Sequence, residues 1–433
     1  MSGTDESAGS GLPEATILRN QLARSSVTAE SIAHSALDRI RLRDPLIQAW
    51  RHLAPVDVLE AARQLDRAVR RGLLHGIPIG IKDNILTRDM PTRYGSAAYE
   101  DFSPGLDAAC VRLLREAGAL ILGKTHTVEF ASTGLPPPTR NPANSSHTPG
   151  GSSSGSAAAV ADGHVPLALG TQTGGSIIRP ASFCGVWAVK PSWNLVSLEG
   201  VKPFAPSLDT LGWFGRSADY LLVLYETLVP DFVQAPTPDL KGARIGICRT
   251  PLWPLASACV AGALARTEAL LVQAGASVSD INLPSDFANL SAAHLAIMRS
   301  EGRTAFLADL RLSPDQLSPG IRRYAEADWI QGSAEVLKAH DLAARCRAGF
   351  DDIAARFDVI LTPSSTGEAP MGLSATGDLA FNGLWTLLQV PCVNIPGHAG
   401  KSGLPVGITA TGPRRSDAVT LAMAKAVGAL FHT

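Results

Sequence analysis

Two serine- and glycine-rich stretches stand about two dozen residues apart, "TPGGSSSGSA" at 148–157 and "GTQTGGSIIRPASFCG" at 170–185. A serine hydroxyl becomes a useful nucleophile when a base takes its proton, and acyl transfer also needs donors for the oxyanion. The run "TGGS", 173–176, offers a nucleophile beside such donors. Two glycines let backbone N–H groups approach a substrate oxygen without a Cβ in the way, and Ser176 follows them directly. The serines of the first stretch can carry the proton. A lysine acts as the base when burial keeps it neutral. Lys82, Lys124 and Lys190 all lie on apolar, strand-like stretches. Patterning alone does not choose among them, and each also reads as a strand-end charge reaching solvent.

Three other readings of the glycines and serines fit less well. A flexible linker conflicts with helix and buried-strand signals within a few residues on either side. A phosphate loop needs G-x-x-x-x-G-K-[ST], and the residues after Gly155 are Ser156 and Ala157. A hydrolase elbow is matched by "GSSSG", 151–155, with Ser153 central. That motif requires a strand running into the turn, whereas the preceding "NPANSSHTPG" is a loop. The nearest histidine, His147, is a polar loop residue.

The elements that must hold these residues alternate. Residues 13–72 are helical in pattern, with a break at Asp44-Pro45. In "HGIPIGIKDNI", 75–85, Ile77, Ile79 and Ile81 alternate with other residues as in a strand, which sets Lys82 on the opposite face and Asp83 away from it. A helix stopped at Gly118 and then a strand fill 106–125; a short helix covers 156–163 and a buried strand 165–170. Strand, helix, strand follow over 243–283, and strands at 357–363, 391–396 and 405–412 precede a helix at 416–431. This order predicts an α/β protein with a parallel or mixed sheet. No linker or repeat divides it, so 13–433 is expected as one domain behind a disordered tail at 1–12.

Composition narrows the class. The 433 residues are 45% hydrophobic and 18% charged, with a net charge of −1. A balanced charge argues against a nucleic-acid surface, which needs a dense basic patch. No run of eighteen apolar residues suggests a membrane span. The polar, acidic start resembles neither a signal nor a transit peptide. The six cysteines form no CxxC pair, so neither a zinc site nor a disulfide framework is expected, and a cytoplasmic setting is the simplest reading.

The ordered combination "GIPIGIKDN", "PGGSSSGSAAAVADG…LALGTQTGGS" and "FCGVWAVKPS…VSLEGVKP…SLDTLG" resembles the amidase signature family. The resemblance is strong over about 75–220 and continues loosely through "VPCVNIP…GLPVGI". It implies a large mixed sheet covered on both faces by helices. It also implies a Ser–cis-Ser–Lys triad, with Ser176 as nucleophile, Ser152 as bridging serine after a cis Gly151–Ser152 peptide, and Lys82 as base. The N–H groups of Thr173, Gly174, Gly175 and Ser176 match the oxyanion hole, and Ser153 matches a supporting serine around the lysine. The implied reaction is hydrolysis of a small carboxamide through an acyl-enzyme, without metal or organic cofactor. A small-molecule amide is then the partner, and a homo-oligomer is compatible with the resemblance.

Several positions depart from the family pattern. Arg179 stands one place later than usual, Gln172 occupies a commonly acidic position, and Ser154 replaces a glycine. The loop after "EFAS", 129–132, is short, and Trp213 and Phe214 replace smaller residues, which suits an aryl pocket or the core equally. Two activities share the triad: a stand-alone amidohydrolase, and the glutaminase subunit of a tRNA-dependent amidotransferase. The short loop, Gln172 and Arg179 favour the first.

Overall fold

The computed structural model describes residues 15–24, 26–69, 72–330 and 332–432, and among them eleven strands form one sheet. They are β1 (Trp50–Leu53), β2 (Pro78–Lys82), β3 (Leu120–Thr125), β4 (Leu167–Gln172), β5 (Trp187–Lys190), β6 (Thr210–Gly215), β7 (Arg244–Ile247), β8 (Ser277–Asp280), β9 (Val359–Pro363), β10 (Cys392–Ala399) and β11 (Pro405–Thr411). The expected tail at 1–12 lies outside the described residues.

The spatial order is β1-β3-β2-β4-β6-β5-β10-β11-β9-β7-β8. β2 runs parallel to both β3 and β4, and β7 parallel to β8 and β9. The pairs through β6, β5, β10 and β11 are antiparallel, as is β1 with β3. The sheet is therefore mixed.

Alternation along the strands divides the interior into two cores. Leu167 and Leu169 of β4, Trp187 and Val189 of β5, and Ile79 and Ile81 of β2 enter one core. Ala168, Ala188 and Phe214 enter the other. Helices Ala218–Leu228, Ala258–Gln273 and Asp417–Ala429 cover the first side, and helices Ser154–Ala161 and Ile178–Cys184 the second. Small residues let helix Ser154–Ala161 sit close to the sheet. A Cβ on Gly155 would fall 2.2 Å from the Ala49 carbonyl oxygen.

Three features differ from the sequence reading. Helix Ala29–Ile47 runs through Pro45 and ends at Gln48, in left-handed conformation, rather than breaking at Asp44-Pro45. Strand β1 interrupts the helical N-terminal region; its "WRHL" carries too few apolar residues to announce a strand. β6 is buried throughout and, with glycine at 212 and 215, lacks the apolar/polar alternation that marks a half-exposed strand. Trp213 and Phe214 are core residues on opposite faces of β6. Among the described residues no helix is long and apolar enough to cross a membrane.

Candidate active site

β2 ends in Lys82, which is wholly buried. Its Nζ lies 2.8 Å from Ser152 Oγ, 2.8 Å from Thr171 Oγ1 and 3.4 Å from the Thr171 carbonyl oxygen. Burial pushes its ammonium well below the ordinary lysine range, against the opposing pull of the Asp209 carboxylate. Asp83 turns away as the alternation requires. It lies 3.4 Å from Lys124 Nζ and accepts the Arg93 N–H. Lys124 is tied to the Ile85 carbonyl at 2.7 Å and the Thr92 hydroxyl at 2.6 Å. Lys190 donates to the carbonyls of Val390 and Pro191 at 2.6 and 2.9 Å. Of the three candidates, Lys82 is the one beside a serine of the first stretch.

The Gly151–Ser152 peptide is cis, and Gly150 before it has φ 84°. A Cβ on Gly150 would lie 2.8 Å from Pro180 Cα, so this turn needs glycine for both reasons. Arg179 Nη2 donates to the Gly151 carbonyl at 2.7 Å, and the Ser153 N–H to the Ser176 carbonyl at 3.4 Å. These bonds join the two serine-rich stretches. Ser152 and Ser176 both line a cavity of about 300 Å³, and Lys82 stands behind Ser152 without lining it.

Ser153 is wholly buried and does not line the cavity. Its hydroxyl donates to the Thr171 carbonyl at 3.2 Å. It reaches the lysine only at one remove, through Thr171, and does not bond it. The elbow reading, with Ser153 as nucleophile, fails on the same ground, and no histidine among the described residues lines the cavity.

Residues 173–176 form the turn between β4 and helix Ile178–Cys184, and all four line the cavity. Thr173 Oγ1 donates to Asp209, whose other oxygen accepts the N–H groups of Phe204 and Ala205. Burial raises the pKa of Asp209, and these three hydrogen bonds counter that. Gln172 Oε1 accepts the N–H groups of Ile177 and Ile178 at 2.8 and 3.1 Å, and its Nε2 donates to Thr386 Oγ1 at 3.0 Å. An aspartate at 172 could accept but not donate. Gly175 passes so close to helix Ala380–Leu387 that a Cβ would lie 2.5 Å from Asn382 Oδ1.

Arg179 lines the cavity and is buried. Burial lowers its pKa to about 10, opposed by Asp378. Its Nη2 also reaches Thr376 Oγ1 at 3.2 Å, while its buried Nε has no hydrogen-bond partner among the described residues. Val128, Phe204, Met298 and Leu379 supply apolar wall, and no acidic side chain among the described residues lines the cavity. Among the described residues, no three His, Cys, Asp or Glu side chains gather as a metal site needs.

Sequence reasoning did not single out Thr171, Asp209, His294 or Thr386. Thr171 lies on buried β4 within the quoted "GTQTGGS", and Asp209 directly before β6 within "SLDTLG"; a polar residue among apolar neighbours was the available signal. His294 and Thr386 sit on helices whose apolar pattern speaks only of the core.

The chain belongs to the amidase family. The family model described as Amidase matches residues 31–421, and solved structures of amidase-signature enzymes superpose along the whole fold. One described as an amidase is 30% identical with TM-score 0.89, covering 96% of this chain and 99% of its own. Native peptide amidase from Stenotrophomonas maltophilia is 28% identical with TM-score 0.81, covering 97% of each chain. Among curated proteins, a glutamyl-tRNA(Gln) amidotransferase subunit from Microcystis aeruginosa is 33% identical over 454 residues, 91% of this chain and 92% of that relative. The protein of the same name from Bacillus licheniformis is 32% identical over 94% of this chain and 95% of its own length.

Proposed function

We propose that the protein hydrolyses a primary carboxamide through an acyl-enzyme on Ser176, in a single domain and with ammonia as leaving group. The observation that carries this is the buried lysine, held next to Ser152 with its charged form disfavoured, directly behind the wall that Ser152 and Ser176 share. Neutral Lys82 accepts the Ser152 proton, Ser152 accepts that of Ser176, and Ser176 Oγ bonds to the amide carbon. Backbone N–H groups at 173–176 receive the oxyanion. As the C–N bond breaks, the proton passes back through Ser152 to the departing nitrogen. Water, deprotonated by the same relay, then releases the carboxylic acid.

The cavity charge bears on the substrate. A buried guanidinium with a spare N–H, and no acidic neighbour among the described residues of the wall, favours an acyl group that is neutral or anionic over a cationic one. This preference does not separate a free amidohydrolase from a glutaminase, because glutamine carries a carboxylate and has no net charge.

The second reading, the glutaminase subunit of a tRNA-dependent amidotransferase, has a specific observation in its favour. The curated relatives at 30–39% identity are subunits of glutamyl-tRNA(Gln) amidotransferase. Their names support this reading more directly than Gln172, Arg179 and the short loop support the free hydrolase. Both readings share the chemistry above, with glutamine as the carboxamide in the second.

Ammonia release from the purified chain tests the proposal, with glutamine, a half-amide of a dicarboxylic acid, benzamide and a neutral aliphatic amide as substrates. Turnover of the half-amide or neutral amides above glutamine supports the free hydrolase. Glutamine turnover that emerges only with co-purified partner subunits supports the second reading. No turnover, with no fluorophosphonate label on Ser176, overturns both.

A further inference from the structure

The oxyanion donors proposed above belong to a turn with two adjacent glycines, the residue type with the greatest backbone freedom. Some restraint must choose the direction in which its N–H groups point. A trans peptide is planar, with its C=O and the following N–H pointing opposite ways. Whatever holds a carbonyl of this turn therefore aims the next N–H. The Thr173 carbonyl oxygen lies 2.9 Å from His294 Nε2. The Gly174 carbonyl accepts from Thr386 Oγ1 at 2.7 Å. The Gly175 carbonyl accepts the Arg179 N–H at 3.0 Å, a bond of the first turn of helix Ile178–Cys184. Three successive carbonyls are held, the first two by side chains from helices Leu290–Ala305 and Ala380–Leu387.

We propose that His294 and Thr386 are positioning residues of the oxyanion hole, holding the carbonyls of Thr173 and Gly174 so that the N–H groups of Gly174 and Gly175 face the reacting oxygen. This rests on the acyl-transfer reading of Ser176. Neither side chain lines the cavity, so both act through the turn. A carbonyl only accepts, so His294 Nε2 carries the proton. The ring is buried, and burial disfavours its charged form; it is a neutral donor. Thr386 has one hydroxyl proton and gives it to Gly174. Its oxygen is then free to accept from Gln172 Nε2, whose Oε1 takes two N–H groups at the start of the next helix. One chain of hydrogen bonds thus ties the middle of the turn to the helix that follows it.

The test is the affinity for phenylboronic acid, whose tetrahedral adduct with a serine Oγ places an oxygen where the oxyanion forms. Calorimetric titration compares wild type with His294→Leu, His294→Gln, Thr386→Val and Thr386→Ser, with the thermal midpoint of each as a check on folding. Losing one oxyanion donor costs about 100- to 1000-fold in rate, so a misaimed one is expected to weaken the boronate by about 10- to 100-fold in His294→Leu and Thr386→Val. The donor-retaining Gln and Ser variants should recover most of that loss. Unchanged boronate affinity in His294→Leu and Thr386→Val overturns the inference, and so does a loss that the Gln and Ser variants fail to recover. If His294→Leu does not fold, near-isosteric Thr386→Val decides alone by the same criterion. A wild type that binds no boronate and takes no fluorophosphonate label at Ser176 overturns the acyl-transfer reading itself, and the inference with it.

Discussion

Lys82 Nζ stands equally far, 2.8 Å, from the hydroxyls of Ser152 and Thr171. A neutral amine has two N–H donors and one lone pair. The Thr171 hydroxyl and carbonyl can accept both N–H groups, which turns the lone pair toward Ser152. In the proposed relay Thr171 orients the base as well as packing against it.

Replacing Thr171 by valine keeps the shape and removes the hydroxyl. We expect kcat/KM to fall by about 10- to 100-fold, the range of a misdirected general base. Thr171→Ser should stay within a few-fold of wild type. Steady-state kinetics on whichever amide is turned over fastest checks both, and equal activity of the valine variant would show that Thr171 only packs.

Because burial lowers the Lys82 pKa, activity should rise with pH as the amine loses its proton and then level off. Lys82→Arg should be inactive, since guanidinium cannot accept a proton. A pH–rate profile of the two enzymes is the measurement, and near wild-type turnover by the arginine variant would make this lysine structural.

The same shift has a stability consequence with a definite sign. Between the lowered folded pKa and the unfolded value near 10.5, the unfolded chain binds one more proton at this site. Stability therefore rises with pH there, by at most about 1.4 kcal/mol per pH unit from this group. Lys82→Met should be more stable than wild type at neutral pH, with the advantage shrinking as pH approaches that upper value. Urea titrations across pH test it, and an advantage independent of pH would mean that the lysine does not deprotonate on folding.

Ser176→Ala should lose turnover almost completely while keeping substrate affinity. Units of this kind fail together rather than additively. A fluorophosphonate should label Ser176 in the wild type. A label on Ser153 instead would revive the elbow reading.

The two glycines should differ. A Cβ on Gly175 would lie 2.5 Å from Asn382 Oδ1, whereas on Gly174 its nearest neighbour is Leu379 Cδ2 at 3.4 Å. Gly175→Ala is expected to lose activity and to lower the thermal midpoint by several degrees, as overpacking of about 1–3 kcal/mol does. Gly174→Ala should leave the midpoint nearly unchanged. Scanning calorimetry of the pair separates them, and equal midpoints would show that the helix at 382 yields freely.

What the sequence made legible was what is local in the chain. Ser152, Ser153 and the 173–176 turn are contiguous runs of unusual composition, and the alternation at Ile77, Ile79 and Ile81 was enough to orient Lys82 and Asp83. The choice of Lys82 over Lys124 and Lys190 was not patterned, because all three sit on buried strands; the resemblance named it, and its neighbours in space set it apart. His294 and Thr386 reach partners 121 and 212 residues away, a separation that periodicity cannot span. β6, "TLGWFG", was missed because two of its six residues are glycine and it shows neither an apolar run nor alternation.

The parallel pairing of β2 with β4 carries a consequence for how the protein acquires activity. Lys82 and Thr171 are 89 residues apart in the chain, and they meet only after the intervening segment has folded back to set Ile79 against Leu167 and Gly80 against Ala168. Closing so large a loop carries an entropic cost that comes before any local contact offsets it. Turnover in this molecule is therefore a readout of long-range assembly. During refolding it should return later than helical content, and a chain truncated between the two strands keeps Lys82 or Thr171 but not both.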